Sequence, residues 1–314
     1  MDASIIIQVV LLLVGFVFLI KGSDFFVDGA SSIASILKVP TIIVGLTIVA
    51  LGTSAPEAAV SITSSLTGSN AMAVSNVIGS NLFNMLMVIG IAALMSNLLM
   101  EKSVLEKDLP FLVGITALWA IFIVIGWDIT NIEGIILLLI MVAYIIFLIY
   151  DTKKSGGAND VEKPKFNLPM SIIFMIIGLA GIVIGGDLVV DSASAIAIAF
   201  GMSETLVGLT IVAIGTSLPE LVTSITALKK GENQLVIGNV IGSNIFNILF
   251  VLGASSAISA IPLDSSMLID VVFMLLVTIL CFIFGKTQDK YDKREGVILI
   301  AMFIAYMAFA ILRN

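Results

Sequence analysis

Gly45–Glu57 reads GLTIVALGTSAPE, and Gly208–Glu220 reads GLTIVAIGTSLPE, identical at eleven of thirteen positions. Asn76–Asn84, NVIGSNLFN, returns as Asn239–Asn247, NVIGSNIFN, identical at eight of nine. Both pairs are separated by the same offset of 163 residues, and Asp24 and Asp28 return at that offset as Asp187 and Asp191. One offset held over three segments marks a duplication, so the chain is read as two related halves, 1–150 and 169–314, joined by 151–168.

Around these motifs the chain is strongly apolar. Of its 314 residues 59% are hydrophobic and 12% charged, against about 45–50% and about 25% in soluble domains. Such a chain cannot cover its own surface with polar groups. Its apolar runs approach the roughly 20 residues that cross a bilayer, which predicts ten helices near 4–36, 42–66, 71–98, 109–127, 132–150, 170–199, 205–228, 234–260, 267–285 and 295–312. Met1 to Ser4 lacks a basic leader, so the first run is expected to stay as a helix. Five helices per half is an odd number, so the second half must enter the membrane from the opposite side. The expected fold is an all-α integral membrane protein of ten transmembrane helices in two inverted-topology repeats, an arrangement common in secondary transporters.

Thirteen of the fifteen basic residues fall in the loops joining helices 1–2, 3–4, 5–6, 7–8 and 9–10. The positive-inside rule puts these loops in the cytoplasm and both termini outside, with the plasma membrane as the expected location. There is no His, and the one Cys, Cys281, lies in an apolar run; soft-metal sites, haem ligation and Cys/His nucleophiles are therefore excluded. A net charge of −7 argues against a nucleic-acid partner, and no obligate protein partner is evident.

Glu57 and Glu220 fall mid-way along apolar helices, where a carboxylate costs about 2.5–3.5 kcal/mol on insertion scales. Thr53 and Glu57 are i and i+4, with Ser54 on the flank, and Thr216, Ser217 and Glu220 repeat the pattern. Pro56 and Pro219 remove a backbone bond and crowd the carbonyls of Gly52 and Gly215, so a helix break that frees carbonyl oxygens is expected there. Ser80 with Asn84, and Ser243 with Asn247, share helix faces. Asn81 and Asn244 lie off these faces and are read as helix–helix hydrogen bonders. Asp24, Asp28, Asp187 and Asp191 read as interfacial groups, solvated or ion-paired, Lys21 with Asp24 for instance. Two carboxylates among hydroxyls, amides and carbonyls form a hard-oxygen set suited to Ca²⁺ or Na⁺.

At these residues the chain resembles the Ca²⁺/cation antiporters, and within them the Na⁺/Ca²⁺ exchangers of prokaryotic type. The resemblance implies ion ligands at the Ala50 carbonyl, Thr53, Ser54, Glu57, Ser80 and Asn84, and at the Ala213 carbonyl, Thr216, Ser217, Glu220, Ser243 and Asn247. Glu57 and Glu220 would be the central Ca²⁺ ligands, with flanking Na⁺ sites and three Na⁺ exchanged per Ca²⁺. It also implies that the first and sixth helices are long, tilted and loosely packed, and that they slide to switch access. Asn247 stands where K⁺-dependent members carry Asp, which points away from K⁺ co-transport. The 151–168 linker leaves no room for the large Ca²⁺-sensing domains of animal exchangers. Ca²⁺ and Na⁺ would be cargo, and no cofactor is expected. Two other functions stay open: Ca²⁺/H⁺ exchange on the same glutamates, and a cation channel, although channels build their filters from oligomeric rings. An intramembrane hydrolase lacks a third group to complete Ser54 and Glu57.

Overall fold

Long apolar runs give long helices, because in hydrocarbon every backbone group must find its partner inside the segment. The structure is a computed structural model that describes residues 3–126, 128–154, 163–202, 207, 210–211, 213–262 and 265–313. The first half holds α1 (Ala3–Leu37), α2a (Thr41–Thr53), α2b (Ala55–Leu66), α3 (Asn70–Met95), α4 (Val104–Gly126) and α5 (Asn131–Lys154). The second holds α6 (Leu168–Ala199), α7a (Ala213–Gly215), α7b (Leu218–Lys229), α8 (Asn233–Ile258), α9 (Ser265–Gln288) and α10 (Lys293–Arg313). Among the described residues eight helices are long and apolar enough to cross a membrane, and α2a with α2b forms a further, bent span. The expected helix 205–228 lies partly outside the described residues, which contain its second part, α7a and α7b.

The two helices that carry the Asn76–Asn84 and Asn239–Asn247 motifs, α3 and α8, form the core. The most apolar stretches of α3 and α8 are 78% and 94% buried, against 17% in α1 and α10. The outer helices turn Leu13, Val17, Leu139, Ile146, Ile176 and Ile304 outward, a surface fit only for lipid.

Four two-residue strands, which the helical periodicity does not reveal, pin the loops. β1 (Leu98–Leu99) pairs antiparallel with β4 (Lys290–Tyr291), and β2 (Asp128–Ile129) with β3 (Ile261–Pro262). β1 follows α3 and β3 follows α8, so equivalent loops of the two halves join opposite pairs. The 3–4 loop meets the 9–10 loop, and the 4–5 loop meets the 8–9 loop, as an inverted repeat requires. A cavity of about 940 Å³ is lined by Val39 to Thr41, Leu99 to Glu101, Lys163, Lys165 and Lys230 to Gln234. Loops 1–2, 3–4, 5–6 and 7–8 therefore share one end of the bundle.

α1 and α6 pack on each other far more than on anything else. A Cβ on Gly22 would come within 2.7 Å of the Ile182 nitrogen, and one on Gly178 within 2.5 Å of the Phe26 nitrogen. Backbone thus lies on backbone, the close approach that small residues permit between membrane helices. Loose packing of these two helices is not what the structure has along their shared face. Each is more than 30 residues long, about 48–52 Å at 1.5 Å per residue, so both must tilt in a hydrocarbon layer of about 30 Å.

Candidate cation-binding site

The predicted break is present, two residues after Gly52, at Ser54. α2a and α2b meet at 49°, and Ser54 leaves helical geometry with φ −85° and ψ 9°. Pro56 then sits in the first turn of α2b, where its missing N–H costs nothing. Ser217 repeats the geometry at φ −94° and ψ 5°, with Pro219 in the first turn of α7b. Each break makes a new helix N-terminus, and Glu57 and Glu220 lie in those first turns. The positive end of the helix dipole offsets part of the cost of burying a carboxylate there. π-helical turns at Gly45–Val49, Phe83–Val88 and Asn247–Leu252 flank the same region, as such bulges often do at functional sites.

The hydrogen bonds are reciprocal between halves. Glu57 Oε1 accepts from Ser217 Oγ at 3.0 Å and Ser80 Oγ at 3.3 Å. Glu220 Oε1 accepts from Ser54 Oγ at 2.8 Å and Ser243 Oγ at 3.5 Å. Each carboxylate thus takes one hydroxyl from its own half and one from the other. Asn84 Nδ2 donates to Asn244 Oδ1 at 3.2 Å, and Asn247 Nδ2 to Asn81 Oδ1 at 3.2 Å; Asn81 and Asn244 are the helix–helix bonders read from the sequence. Thr53 lies 3.5 Å from Ser243 Oγ. The Ala50 carbonyl accepts the Ser54 N–H at 3.0 Å. Across the pseudo-symmetry the Ser217 N–H reaches the Ile214 carbonyl at 3.2 Å. Ala213 lies in α7a.

Glu57, Glu220, Asn84 and Asn247 are fully buried, and Thr216, at 8% exposed, is the least buried of the site's polar residues. Among the described residues, four oxygens in this cluster have no donor: Glu57 Oε2, Glu220 Oε2, Asn84 Oδ1 and Asn247 Oδ1. Buried acceptors without a donor are expensive, and two carboxylates that repel each other are more so. Among the described residues no three His, Cys, Asp or Glu side chains converge. The set is two charged oxygens plus neutral ones, a donor set that fits a hard cation.

Asn76 and Asn239 escaped the sequence reading although both head a repeated motif. Asn76 Nδ2 donates to the Glu57 carbonyl oxygen at 3.1 Å and to Ser61 Oγ at 2.8 Å. Asn239 Nδ2 donates to Ser224 Oγ at 3.1 Å. The repeat offset was the signal for them. Asp24 and Asp28, by contrast, are ion-paired at one end of the bundle. Lys165 and Lys230 approach Asp28 to 2.8 and 2.9 Å, and Lys21 lies 3.8 Å from Asp24. Asp187 and Asp191 make no ion pair among the described residues.

The family model described as sodium/calcium exchanger protein matches residues 7–150 and 170–312. The sodium/calcium exchanger MaX1 of Methanosarcina acetivorans is 31% identical over 96% of this chain and 98% of its own length. The inner membrane protein YrbG of Escherichia coli is 33% identical over 95% of each chain. Among solved structures, the sodium-calcium exchanger NCX_Mj soaked with Na⁺ and Sr²⁺ superposes with a TM-score of 0.86 at 30% identity, over 97% of this chain and 99% of its own.

Proposed function

This chain belongs to the sodium/calcium exchanger protein family, and on that premise we propose that it exchanges Ca²⁺ for Na⁺ at one central site by alternating access. The antiport of cations follows from the family; the ion coupling and the site are the proposal. What supports it is the set of four donor-free buried oxygens on Glu57, Glu220, Asn84 and Asn247. One Ca²⁺ balances the two carboxylates. Three Na⁺ held by the carboxylates together with the hydroxyls, amides and carbonyls would leave one net charge to move per cycle. A buried cluster can be reached from either side only when the helices around it move, which is what an exchanger needs and a channel avoids.

Within this reading the halves 1–150 and 169–314 are the two moving units, and 151–168 is a cytoplasmic linker of which 155–162 lie outside the described residues. Both termini then face outward, in the plasma membrane. With Cys281 replaced, a Lys102→Cys probe in the 3–4 loop is expected to resist impermeant thiol reagents on intact cells; labelling from outside reverses the orientation. The coupling is tested by Ca²⁺ uptake into Na⁺-loaded proteoliposomes with the potential clamped by valinomycin and K⁺. Uptake is expected to need internal Na⁺ and to accelerate when the interior is positive, because three positive charges leave for every two that enter. Uptake driven by a pH gradient without Na⁺, and indifferent to potential, would replace Na⁺ by H⁺ as the coupling ion.

A further inference from the structure

We infer that Asn76 and Asn239 are positioning residues of the cation site, each orienting the hydroxyl of the opposite half's threonine. The inference rests on the Na⁺/Ca²⁺ reading above and adds to it two residues that do not themselves touch the ion.

The Asn76 amide is oriented by a partner that can only accept, and the Asn239 amide takes the mirrored orientation. The Asn76 atom 3.1 Å from the Glu57 carbonyl oxygen must be the NH₂ group, because that oxygen can only accept. Its Oδ1 therefore faces Thr216 Oγ1, at 3.5 Å. In the mirrored half Asn239 gives its NH₂ to Ser224 and turns its Oδ1 to Thr53 Oγ1, at 3.0 Å. Ser61 and Ser224 each lie one turn beyond Glu57 and Glu220. Each asparagine thus grips the glutamate-bearing helix of its own half and reads the threonine of the other.

An amide oxygen carries no proton, so the proton in the Thr53–Asn239 contact is the threonine's. Four oxygens lie in reach of it, and Asn239 Oδ1 is the nearest: Asn239 Oδ1 at 3.0 Å, the Val49 carbonyl at 3.2 Å, the Ala50 carbonyl at 3.4 Å and Ser243 Oγ at 3.5 Å. A helical threonine otherwise gives its proton to the carbonyl a turn before it. With the proton held by Asn239, the Thr53 lone pairs are directed away from that amide and the Ala50 carbonyl keeps its own. Losing the acceptor would leave Thr53 Oγ1 in place but rotate its lone pairs. That is a small change for Ca²⁺, whose charge the glutamates balance. It is a large one for Na⁺, which depends on neutral oxygens.

The test uses the purified full chain in proteoliposomes, with Na⁺ and Ca²⁺ titrated separately, in Asn239→Leu, Asn239→Asp, Thr53→Val and the Asn239→Leu/Thr53→Val double variant. Asn239→Leu is expected to raise the Na⁺ concentration for half-maximal exchange about tenfold, the value of one hydrogen bond, and to leave the Ca²⁺ half-saturation within about twofold of the parent. Thr53→Val should match it, the double variant should add nothing further, and Asn239→Asp, which keeps an acceptor, should restore the Na⁺ response. Additive effects, an unchanged Na⁺ response, or equal losses for both ions would overturn the inference. Should Asn239→Leu not fold, the same comparison on half-buried Asn76, with Asn76→Leu and Thr216→Val, decides by the same criteria. A parent protein that moves Ca²⁺ without any dependence on Na⁺ removes the exchange reading and this inference together. A Na⁺-dependent parent with an unmoved asparagine variant removes only this inference.

Discussion

Glu57 and Glu220 share a buried cluster in which four serine hydroxyls are aimed at the Oε1 atoms and, among the described residues, neither Oε2 atom has a donor. Among the described residues no lysine or arginine pairs with either carboxylate. Glu57→Gln or Glu220→Gln is therefore expected to insert and fold, and to lower Ca²⁺ exchange at least a hundredfold. Removing one partner from a buried ionic set typically costs about 3–5 kcal/mol. Ser54→Ala and Ser217→Ala each remove one hydroxyl bonded to the opposite glutamate, and should weaken exchange about tenfold. Flux measurements on variants matched for expression check both; retention of full exchange by a glutamine variant would make the pair structural. The carboxylates, serines and asparagines were legible in the sequence because duplication singled them out from an apolar background. Asn76 and Asn239 were equally duplicated, yet their role depends on which way an amide points, and spacing carries no such information.

At the scale of helices, a second repeated device holds the outer pair of each half together. Tyr144 donates to buried Asp108 at 2.9 Å and stacks on Phe111 with centroids 4.6 Å apart. Tyr306 bonds Asp270 and stacks on Phe273 at 5.1 Å. These residues recur at an offset of 162, one less than the motifs, because the second half is one residue shorter between Pro262 and Asp270 than the first between Leu99 and Asp108. The same offset relates two capping boxes. Thr130 and Glu133 open α5 with bonds of 2.7 and 3.2 Å, and Asp292 and Glu295 open α10 with bonds of 3.0 Å. At its exposed site Asp292 is held below the usual carboxylate range by the Glu295 N–H that it accepts. A search at the motif offset misses all of this. The break at Pro56 and Pro219 was legible, since proline chemistry demands it; its position at Ser54 was not, since the chain chooses where to absorb the turn. Tyr144→Phe would leave an Asp108 oxygen buried without its donor. The expected loss is about 1–3 kcal/mol of stability, read as a lower melting temperature in detergent, with the Na⁺ and Ca²⁺ half-saturations unchanged.

The whole molecule is two inverted halves that exchange partners at every level: serine to glutamate, asparagine to asparagine, strand to strand. The inverted arrangement was legible from an odd helix number and the distribution of lysines, and the paired loops β1–β4 and β2–β3 agree with it. The close α1–α6 contact was not, because a glycine in an apolar run says only that a neighbour can approach, not which one. On the proposed reading each half supplies half of the ligands, so the site exists only when the halves meet and the two ions use it in turn. Equilibrium ⁴⁵Ca²⁺ binding to the purified protein, titrated with Na⁺ at constant ionic strength, tests that claim most directly. The expected result is one Ca²⁺ per chain, displaced by Na⁺ with a Hill coefficient above about 1 because more than one Na⁺ replaces each Ca²⁺, and no such binding in Glu220→Gln. Ca²⁺ that stays bound while Na⁺ rises, or that binds Glu220→Gln as tightly as the parent, would contradict a single shared site.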